Sequence, residues 1–71
     1  MIPLFAPIRT TVTVPQLGLM AGARGVIIDV YDDPYPAYEI EFVDGDGNTV
    51  GCMSLRSSEV VPDTQSLQQE V

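Results

Sequence analysis

Histidine, lysine and tryptophan are absent from this chain of 71 residues, and cysteine occurs once. Without histidine the chain cannot form a Ser-His-Asp or Cys-His catalytic arrangement or an imidazole metal site. Without lysine it has no Schiff-base residue and no phosphate-binding P-loop. The single cysteine, Cys52, excludes an intrachain disulfide and a paired-cysteine metal or redox motif. The sequence therefore predicts a protein that is not an enzyme and that holds no cofactor and no metal.

Basic residues are also scarce, because three arginines stand against ten acidic residues and leave a net charge of −7. Binding to nucleic acid or anionic lipid depends mainly on Lys and Arg, so we expect neither nucleic acid nor membrane as a partner. The sequence has no apolar run of the roughly 18 residues that a membrane span requires, and residues 1–8 lack the basic start of a signal peptide. These features predict a soluble, cytoplasmic protein.

The small size of the chain limits its stability. A single core of this size leaves a margin of only about 3–5 kcal/mol unless disulfides, metals or oligomers contribute. Oligomerisation is the remaining source of extra stability here. The apolar N-terminus, with Ile2, Leu4 and Phe5, would form a sticky patch if it stayed exposed. We therefore expect this arm to dock, either on its own barrel or on a neighbouring subunit of a homo-oligomer.

Short apolar–polar alternations separated by turn residues dominate the rest of the chain. The predicted strands cover residues 9–14, 23–31, 38–42, 49–55 and 60–61, with a 3₁₀ turn at 57–59. A loop at residues 16–22 is expected to return Leu17, Leu19 or Met20 to the core. The side chains expected to face the core are Val12, Val26, Ile28, Val30, Tyr38, Ile40, Phe42, part of residues 50–55, and Val60.

Five short strands without a convincing helix predict an all-β fold, a small five-stranded SH3-like barrel. The barrel domain is expected at residues 8–62. An extended apolar N-terminal arm precedes it at residues 1–7, and a short polar C-terminal tail follows at 63–71, either frayed or a short helix.

The sequence resembles the small bacterial family called domain of unknown function 4926. The residues that carry the resemblance are Gly18-Leu19, Gly22, Gly25 to Ile27, Asp29, Val30, residues 37–44, Asp46-Gly47, Thr49 and Leu55. The resemblance spans residues 7–62 and departs at the first strand, where Arg9 and threonines replace the expected apolar and acidic residues. It implies an SH3-like barrel without assigned catalytic residues and with an antitoxin-like or accessory role.

Several polar patterns imitate catalytic or ligand sites. Asp44, Asp46 and Asn48 have the spacing that opens a calcium loop, but Thr49 and Leu55 stand where glycine and a bidentate glutamate are needed. The sequence therefore favours an ordinary hairpin turn at residues 44–48.

Three further patterns are better explained by structure than by chemistry. The glycines Gly18, Gly22 and Gly25 match no phosphate-binding motif and suit bends at strand entry. The acidic residues that could pair as catalytic carboxylates are Asp29, Asp32, Asp33, Glu39 and Glu41, and the alternation places the two glutamates on a solvated strand face. Cys52 is expected to be a buried or half-buried small hydrophobe.

Tyrosines beside acidic residues form the candidate interface. The expected interface residues are Tyr31, Asp32, Asp33 and Tyr35, together with Ile2, Leu4 and Phe5 of the arm. Aromatic anchors surrounded by carboxylates suit a basic protein partner. The alternative is that the tyrosines serve only the core and the turn.

Two functions remain open at this stage. The first is a non-enzymatic protein-interaction module in an antitoxin, immunity or accessory-subunit role. The second is a homo-oligomeric barrel that binds a small ligand or has a structural role. Residues 1–25 hold no acidic residue, whereas residues 29–46 hold most of the negative charge. The protein is therefore expected to have an apolar, weakly basic side and an acidic side.

Overall fold

A computed structural model describes residues 2–64, and these form an all-β fold with five antiparallel strands in one sheet. The strands are β1 (Pro7–Thr10), β2 (Arg24–Tyr31), β3 (Ala37–Val43), β4 (Thr49–Arg56) and β5 (Val60–Pro62), with 3₁₀ turns at Pro15–Leu17 and Ser57–Glu59. In the order β4-β3-β2-β1-β5, the sheet curls around one core into a barrel-like shape. The all-β prediction is confirmed, and the strand order is compatible with an SH3-like barrel.

From residue 65 onward the predicted C-terminal tail lies outside the described residues. Within residues 2–64, no helix is long and apolar enough to cross a membrane.

One compact cluster of apolar side chains forms the core. Its buried members are Ile8, Val14, Ile27, Tyr38, Ile40, Phe42, Leu55 and Val60. Tyr38, Ile40, Phe42 and Val60 were expected there, and their burial confirms the alternation seen in β3. Ile8, Val14 and Ile27 are almost completely buried as well, although they are not among the side chains expected to face the core.

The prediction of which β2 side chains face the core is wrong for the first half of the strand. Ile27 is fully buried and pairs with Ile40, whereas Val26 is half-buried and Ile28 is 37% exposed. The register shifts between Ile27 and Asp29, so Ile28 is an extra residue opposite β3. Such a bulge exchanges the two faces of a strand. Past it, Val30 packs against the core as expected.

The first strand ends earlier than the alternation predicts. Strand β1 stops at Thr10, the chain bends, and Val12 is only half-buried. Val14 instead forms an isolated bridge with Leu19, with N···O distances of 2.8 and 3.0 Å. Between them Pro15 opens a 3₁₀ turn that Gly18 closes in a left-handed conformation (φ 68°). The loop thereby returns Leu17 and Leu19 to the core, while Met20 stays exposed.

The hairpin between β3 and β4 has the predicted turn at residues 44–48. One oxygen of Asp44, Oδ1, accepts hydrogen bonds from the backbone N–H groups of Asp46 and Asn48, each at 2.9 Å. These bonds favour the ionised carboxylate and lower the pKa of Asp44. Asp44 therefore stabilises the turn itself, as expected for an Asx-type turn.

The N-terminal arm docks on its own sheet. The Phe5 N–H donates to the Ile27 carbonyl at 2.7 Å, and the Ile27 N–H donates to the Ala6 carbonyl at 3.2 Å. The Ile2 N–H donates to the Tyr38 hydroxyl at 3.0 Å, and the Ile2 side chain packs against the core. Of the two expected docking modes, the structure has the one on the chain's own barrel.

Gly25 has the least room for a side chain among the six glycines, and we expect Gly25→Ala to destabilise the fold by about 1–3 kcal/mol through overpacking. A Cβ there would lie 2.6 Å from Ile40 Cγ2 and 2.9 Å from the Glu41 carbonyl oxygen. Chemical denaturation measures the free energy of unfolding. Gly45→Ala is the control, because a Cβ at Gly45 meets nothing within 4 Å. Equal stability of the two variants would contradict the packing seen here.

Candidate functional site

The outer surface of strands β2, β3 and β4 carries an acidic face, defined here by Asp29, Tyr31, Glu39 and Glu41. Asp29 pairs with Glu39, and Glu41 pairs with Cys52, so these side chains lie on the side of the sheet opposite the core. The bulge in β2 places Asp29 and Tyr31 on this side. The sheet thus presents three carboxylates together with an aromatic ring.

Hydroxyl groups hold the two glutamates of the acidic face. Glu39 Oε1 accepts a hydrogen bond from Ser54 Oγ at 2.6 Å and a longer one from the Tyr31 hydroxyl at 3.4 Å. Glu41 Oε2 accepts one from Thr49 Oγ1 at 2.7 Å. Both glutamates are half-buried, so the expected solvated face is partly packed by these neighbours. The bonds orient the carboxylates and leave their charge in place.

The environment of Tyr31 favours its neutral phenol. Partial burial and then the negative charges of Glu39 and Asp29 raise the pKa of Tyr31 above its ordinary value. Tyr31 nevertheless keeps 37% of its surface exposed. It therefore offers a neutral aromatic ring and a hydroxyl to a partner.

The turn between β2 and β3, which we call the tyrosine turn (residues 31–36), continues the acidic face. Asp32, Asp33 and Tyr35 are all exposed. The guanidinium carbon of Arg56 lies 4.3 Å from the centre of the Tyr35 ring, a cation–π contact that fixes the ring. Tyr35 still has 43% of its surface exposed. The turn thus presents an exposed aromatic side chain that stacks on a guanidinium group and follows two exposed aspartates in the chain.

The structure divides the predicted interface residues into two groups. Tyr31, Asp32, Asp33 and Tyr35 are brought together at the tyrosine turn. Ile2 meets Tyr38 on the core side of the sheet and is half-buried, so it contributes to folding. Leu4 and Phe5 remain 49% and 73% exposed, at the turn of the arm.

Cys52 departs from its expected burial. It is an exposed free thiol on β4, on the same face as Glu41. The alternation of β4 could not reveal this, because the strand is apolar or small at positions on both faces. Within residues 2–64, no group of three His, Cys, Asp or Glu side chains comes close enough to hold a metal ion.

A second polar cluster, at the other end of β2, was not predicted. Arg9 and Arg24 are direct partners across β1 and β2, and Asp63 lies between them. The Asp63 side chain, 6% exposed, accepts a hydrogen bond from Arg9 Nε at 3.3 Å and forms an ion pair with Arg24 Nε at 3.4 Å. No local pattern signals this cluster, because its three members come from three separate segments of the chain.

A family model described as "Domain of unknown function (DUF4926)" matches residues 4–62. This chain belongs to the DUF4926 family. The match to DUF4926 includes the tyrosine turn, the acidic face and both Arg9 and Arg24, whereas Ile2 and Asp63 lie just outside it. Comparison with curated proteins and with solved structures finds no significant match.

Glu39→Gln should lower the pKa of Tyr31 toward its ordinary value, because the substitution removes a negative charge beside the phenol. Because the pKa of Tyr31 is higher in the folded state than the unfolded value of about 10, stability should fall as pH rises from about 10 through the folded pKa. Phenolate absorbance measures the titration, with Tyr31→Phe identifying the signal. Glu41→Gln is the control, and an equal effect there would contradict the assignment.

Proposed function

We propose that this chain is a non-enzymatic protein-interaction module that binds a basic protein partner through the acidic face and the tyrosine turn. Its biological role is that of an antitoxin, immunity protein or accessory subunit. The observation that carries the proposal is the exposure of Tyr31 and Tyr35 among the carboxylates of this surface. Tyrosine anchors are enriched at interface hot spots, where they bury area at a small entropic cost.

The ordering of this surface before binding supports the proposal. Arg56 stacks on Tyr35, and Ser54 and Tyr31 hold the Glu39 carboxylate. Side chains that are already oriented lose less conformational entropy when a partner arrives. The same contacts would be unnecessary on a surface that only keeps the protein soluble.

Electrostatics also favour a basic partner. The chain carries a net charge of −7, and its negative residues concentrate between Asp29 and Asp46. A surface with one sign of charge accelerates encounter with an oppositely charged partner, and salt weakens this effect. The expected partner is therefore a protein with a cationic patch.

The variant Tyr31→Ala/Tyr35→Ala should bind the partner much more weakly, because it removes both aromatic anchors. We expect about a tenfold or greater rise in the dissociation rate, since anchor residues act mainly on dissociation. Affinity capture from the source cells with the tagged chain, followed by mass spectrometry, identifies the partner. Surface plasmon resonance with the purified partner then measures both rates at low and high salt.

Charge-matched variants separate steering from anchoring. Asp32→Asn/Asp33→Asn should slow association several-fold at low salt and much less at high salt. The control is Asp46→Asn, which removes one charge away from the tyrosine turn and is compared with the single variants Asp32→Asn and Asp33→Asn. Equal slowing by all three single variants, or a partner retained by the double alanine variant, would refute the proposed surface.

The second candidate function is a homo-oligomeric barrel protein with a structural or small-ligand-binding role, in which Leu4 and Phe5 contact another copy. Its support is the exposure of these two side chains, 49% and 73%, at the turn of the arm. Phe5 also adopts a left-handed conformation (φ 66°). This conformation costs a non-glycine residue about 1–2 kcal/mol, so we expect Phe5 to have a function that offsets the cost.

Phe5→Gly and Phe5→Ala test this candidate. Both variants remove the ring, but only glycine relieves the backbone strain. If Phe5 serves an oligomer, both variants should have a lower mass than the wild type in sedimentation velocity. A wild type that is monomeric at all concentrations would exclude the oligomer. In a monomer, Phe5→Gly should raise the melting temperature relative to Phe5→Ala.

A further inference from the structure

Strand β4 lies at one edge of the sheet. Among residues 2–64 its only neighbouring strand is β3, and the pairing is regular from Phe42–Gly51 to Ala37–Arg56. In an antiparallel ladder, alternate residues of an edge strand direct their backbone N–H and C=O groups away from the sheet. Such groups can bond to a further strand.

A backbone hydrogen bond just past β4 defines which of its residues point outward. The Ser57 N–H donates to the Pro36 carbonyl at 3.1 Å, so these two residues continue the register of β3 and β4 as a hydrogen-bonded pair. Hydrogen-bonded and non-hydrogen-bonded pairs alternate along an antiparallel ladder. Cys52 and Ser54 therefore belong to non-hydrogen-bonded pairs, and their N–H and C=O groups point away from β3. Within residues 2–64 these groups have no backbone partner.

The side chains of the same two residues lie on the acidic face. Cys52 is opposite Glu41, Ser54 is opposite Glu39, and both β4 residues are exposed. Neighbouring strands are about 4.8 Å apart, so a strand added beyond β4 would lie about 10 Å from β3. Because cysteine and serine are small, a long side chain on the added strand can pass over them and reach the glutamates.

Each of the two glutamates keeps one carboxylate oxygen for a cation. The hydroxyl donors of Ser54, Tyr31 and Thr49 use Oε1 of Glu39 and Oε2 of Glu41. The other oxygen of each carboxylate accepts no hydrogen bond from the part of the chain that the structure describes. A guanidinium or ammonium group can bind there without displacing the existing bonds.

The two edges of the sheet differ in their protection against strand addition. Proteins limit such pairing with short edge strands, proline or lysine. The other edge strand, β5, has three residues and ends at Pro62. Strand β4 has eight residues, contains neither proline nor lysine, and carries its only charged residue, Arg56, at its end. The edge of β4 is thus the one that is open to a partner.

We propose, on the basis of the proposed function, that the basic partner binds as an extended strand antiparallel to β4, with Arg or Lys at alternate positions. Residues that exchange backbone hydrogen bonds with Cys52 and Ser54 project their side chains onto the acidic face. Cations at these two positions meet Glu41 and Glu39, whereas the residue between them faces the other side. In this recognition mode the backbone bonds supply affinity and the side chains supply specificity.

A second copy of the chain is disfavoured as the occupant of this edge. Antiparallel pairing of two β4 strands would place two acidic faces on one side of a continuous sheet. Each copy carries a net charge of −7, so the two copies repel each other. A cationic strand is instead attracted to this surface.

The probe is the acetylated and amidated peptide Thr-Arg-Thr-Arg-Thr-Arg-Thr, titrated into the isotopically labelled full chain and followed by NMR. We expect saturable binding, with the largest shift changes along β4. The control Thr-Thr-Arg-Arg-Arg-Thr-Thr has the same composition and charge without the alternation, and it should bind at least about fivefold more weakly. Equal affinity of the two peptides, or no binding by the alternating peptide, would overturn the proposal.

Two N-methylated versions of the probe test the backbone pairing. Methylation at the arginines removes the N–H groups that donate to β4 and should abolish saturable binding. Methylation at the internal threonines removes N–H groups that point away from β4 and should change the affinity by less than about threefold. Any other pattern would overturn the antiparallel strand.

Amide hydrogen exchange monitors the edge itself. The amides of Cys52 and Ser54 should exchange rapidly in the chain alone and about tenfold or more slowly with saturating probe. Slow exchange in the chain alone at every concentration would show that the edge is already covered. Slowing that grows with the concentration of the chain would assign the edge to a second copy. Either result would overturn the proposal.

Matched charge variants locate the cation contacts. Glu41→Gln should weaken binding of the alternating peptide several-fold, because it removes a carboxylate that the added strand meets. Asp46→Asn makes the same charge change in the turn between β3 and β4 and should alter the affinity by less than about twofold. Equal weakening in both variants would indicate a general charge effect and would refute the site.

The outcomes for the added strand and for the proposed function are separable. If the alternating peptide does not bind along β4 while Tyr31→Ala/Tyr35→Ala still weakens binding of the natural partner, the strand proposal fails and the proposed function stands. If the peptide binds with the expected methylation pattern while the natural partner is indifferent to Tyr31→Ala/Tyr35→Ala, the tyrosine turn fails as the binding surface and the strand proposal stands.

Discussion

The extra residue in β2, Ile28, decides which side chains of that strand face the core. Before it, the Ile27 side chain faces the core and Gly25 is buried, and after it the Val30 side chain faces the core. Ile27 also exchanges backbone hydrogen bonds with the N-terminal arm. A regular strand would have placed Asp29 on the core side, where an ionised carboxylate is strongly disfavoured. The bulge thus allows one strand to contribute to the core and to the acidic face.

The ends of the sheet depend on a different interaction. Strand β1 has only four residues and joins β2 to β5, so it contributes few ladder bonds of its own. Asp63 follows β5 directly, and its carboxylate contacts arginines on β1 and β2. The desolvation of the buried Asp63 carboxylate offsets part of its attraction to the two arginines. The cluster connects the residue that follows β5 to both β1 and β2.

Local patterns predicted the elements whose sequence is unambiguous. In β3, Tyr38, Ile40 and Phe42 alternate with glutamates, so only one face of the strand can be buried. The turn at residues 44–48 is stabilised by Asp44, which lies within the turn. In β2 apolar residues occur on both faces, so the alternation could not reveal the bulge. The tyrosine turn was visible in the sequence. Its contact with Arg56, and the pairing of Arg9 with Arg24, arise only when distant segments meet.

The distribution of three arginines explains why the protein has two electrostatic sides. Arg9 and Arg24 are bound to Asp63, and Arg56 stacks on Tyr35. The glutamates of the acidic face are instead held by hydroxyl groups, which orient a carboxylate without neutralising it. Neutral partners preserve the negative field of that surface, whereas arginine partners would have cancelled it. Arg9 and Arg24 lie away from the acidic face and Arg56 contacts a ring rather than a carboxylate, so the three arginines leave the carboxylates of that face to the proposed cationic partner.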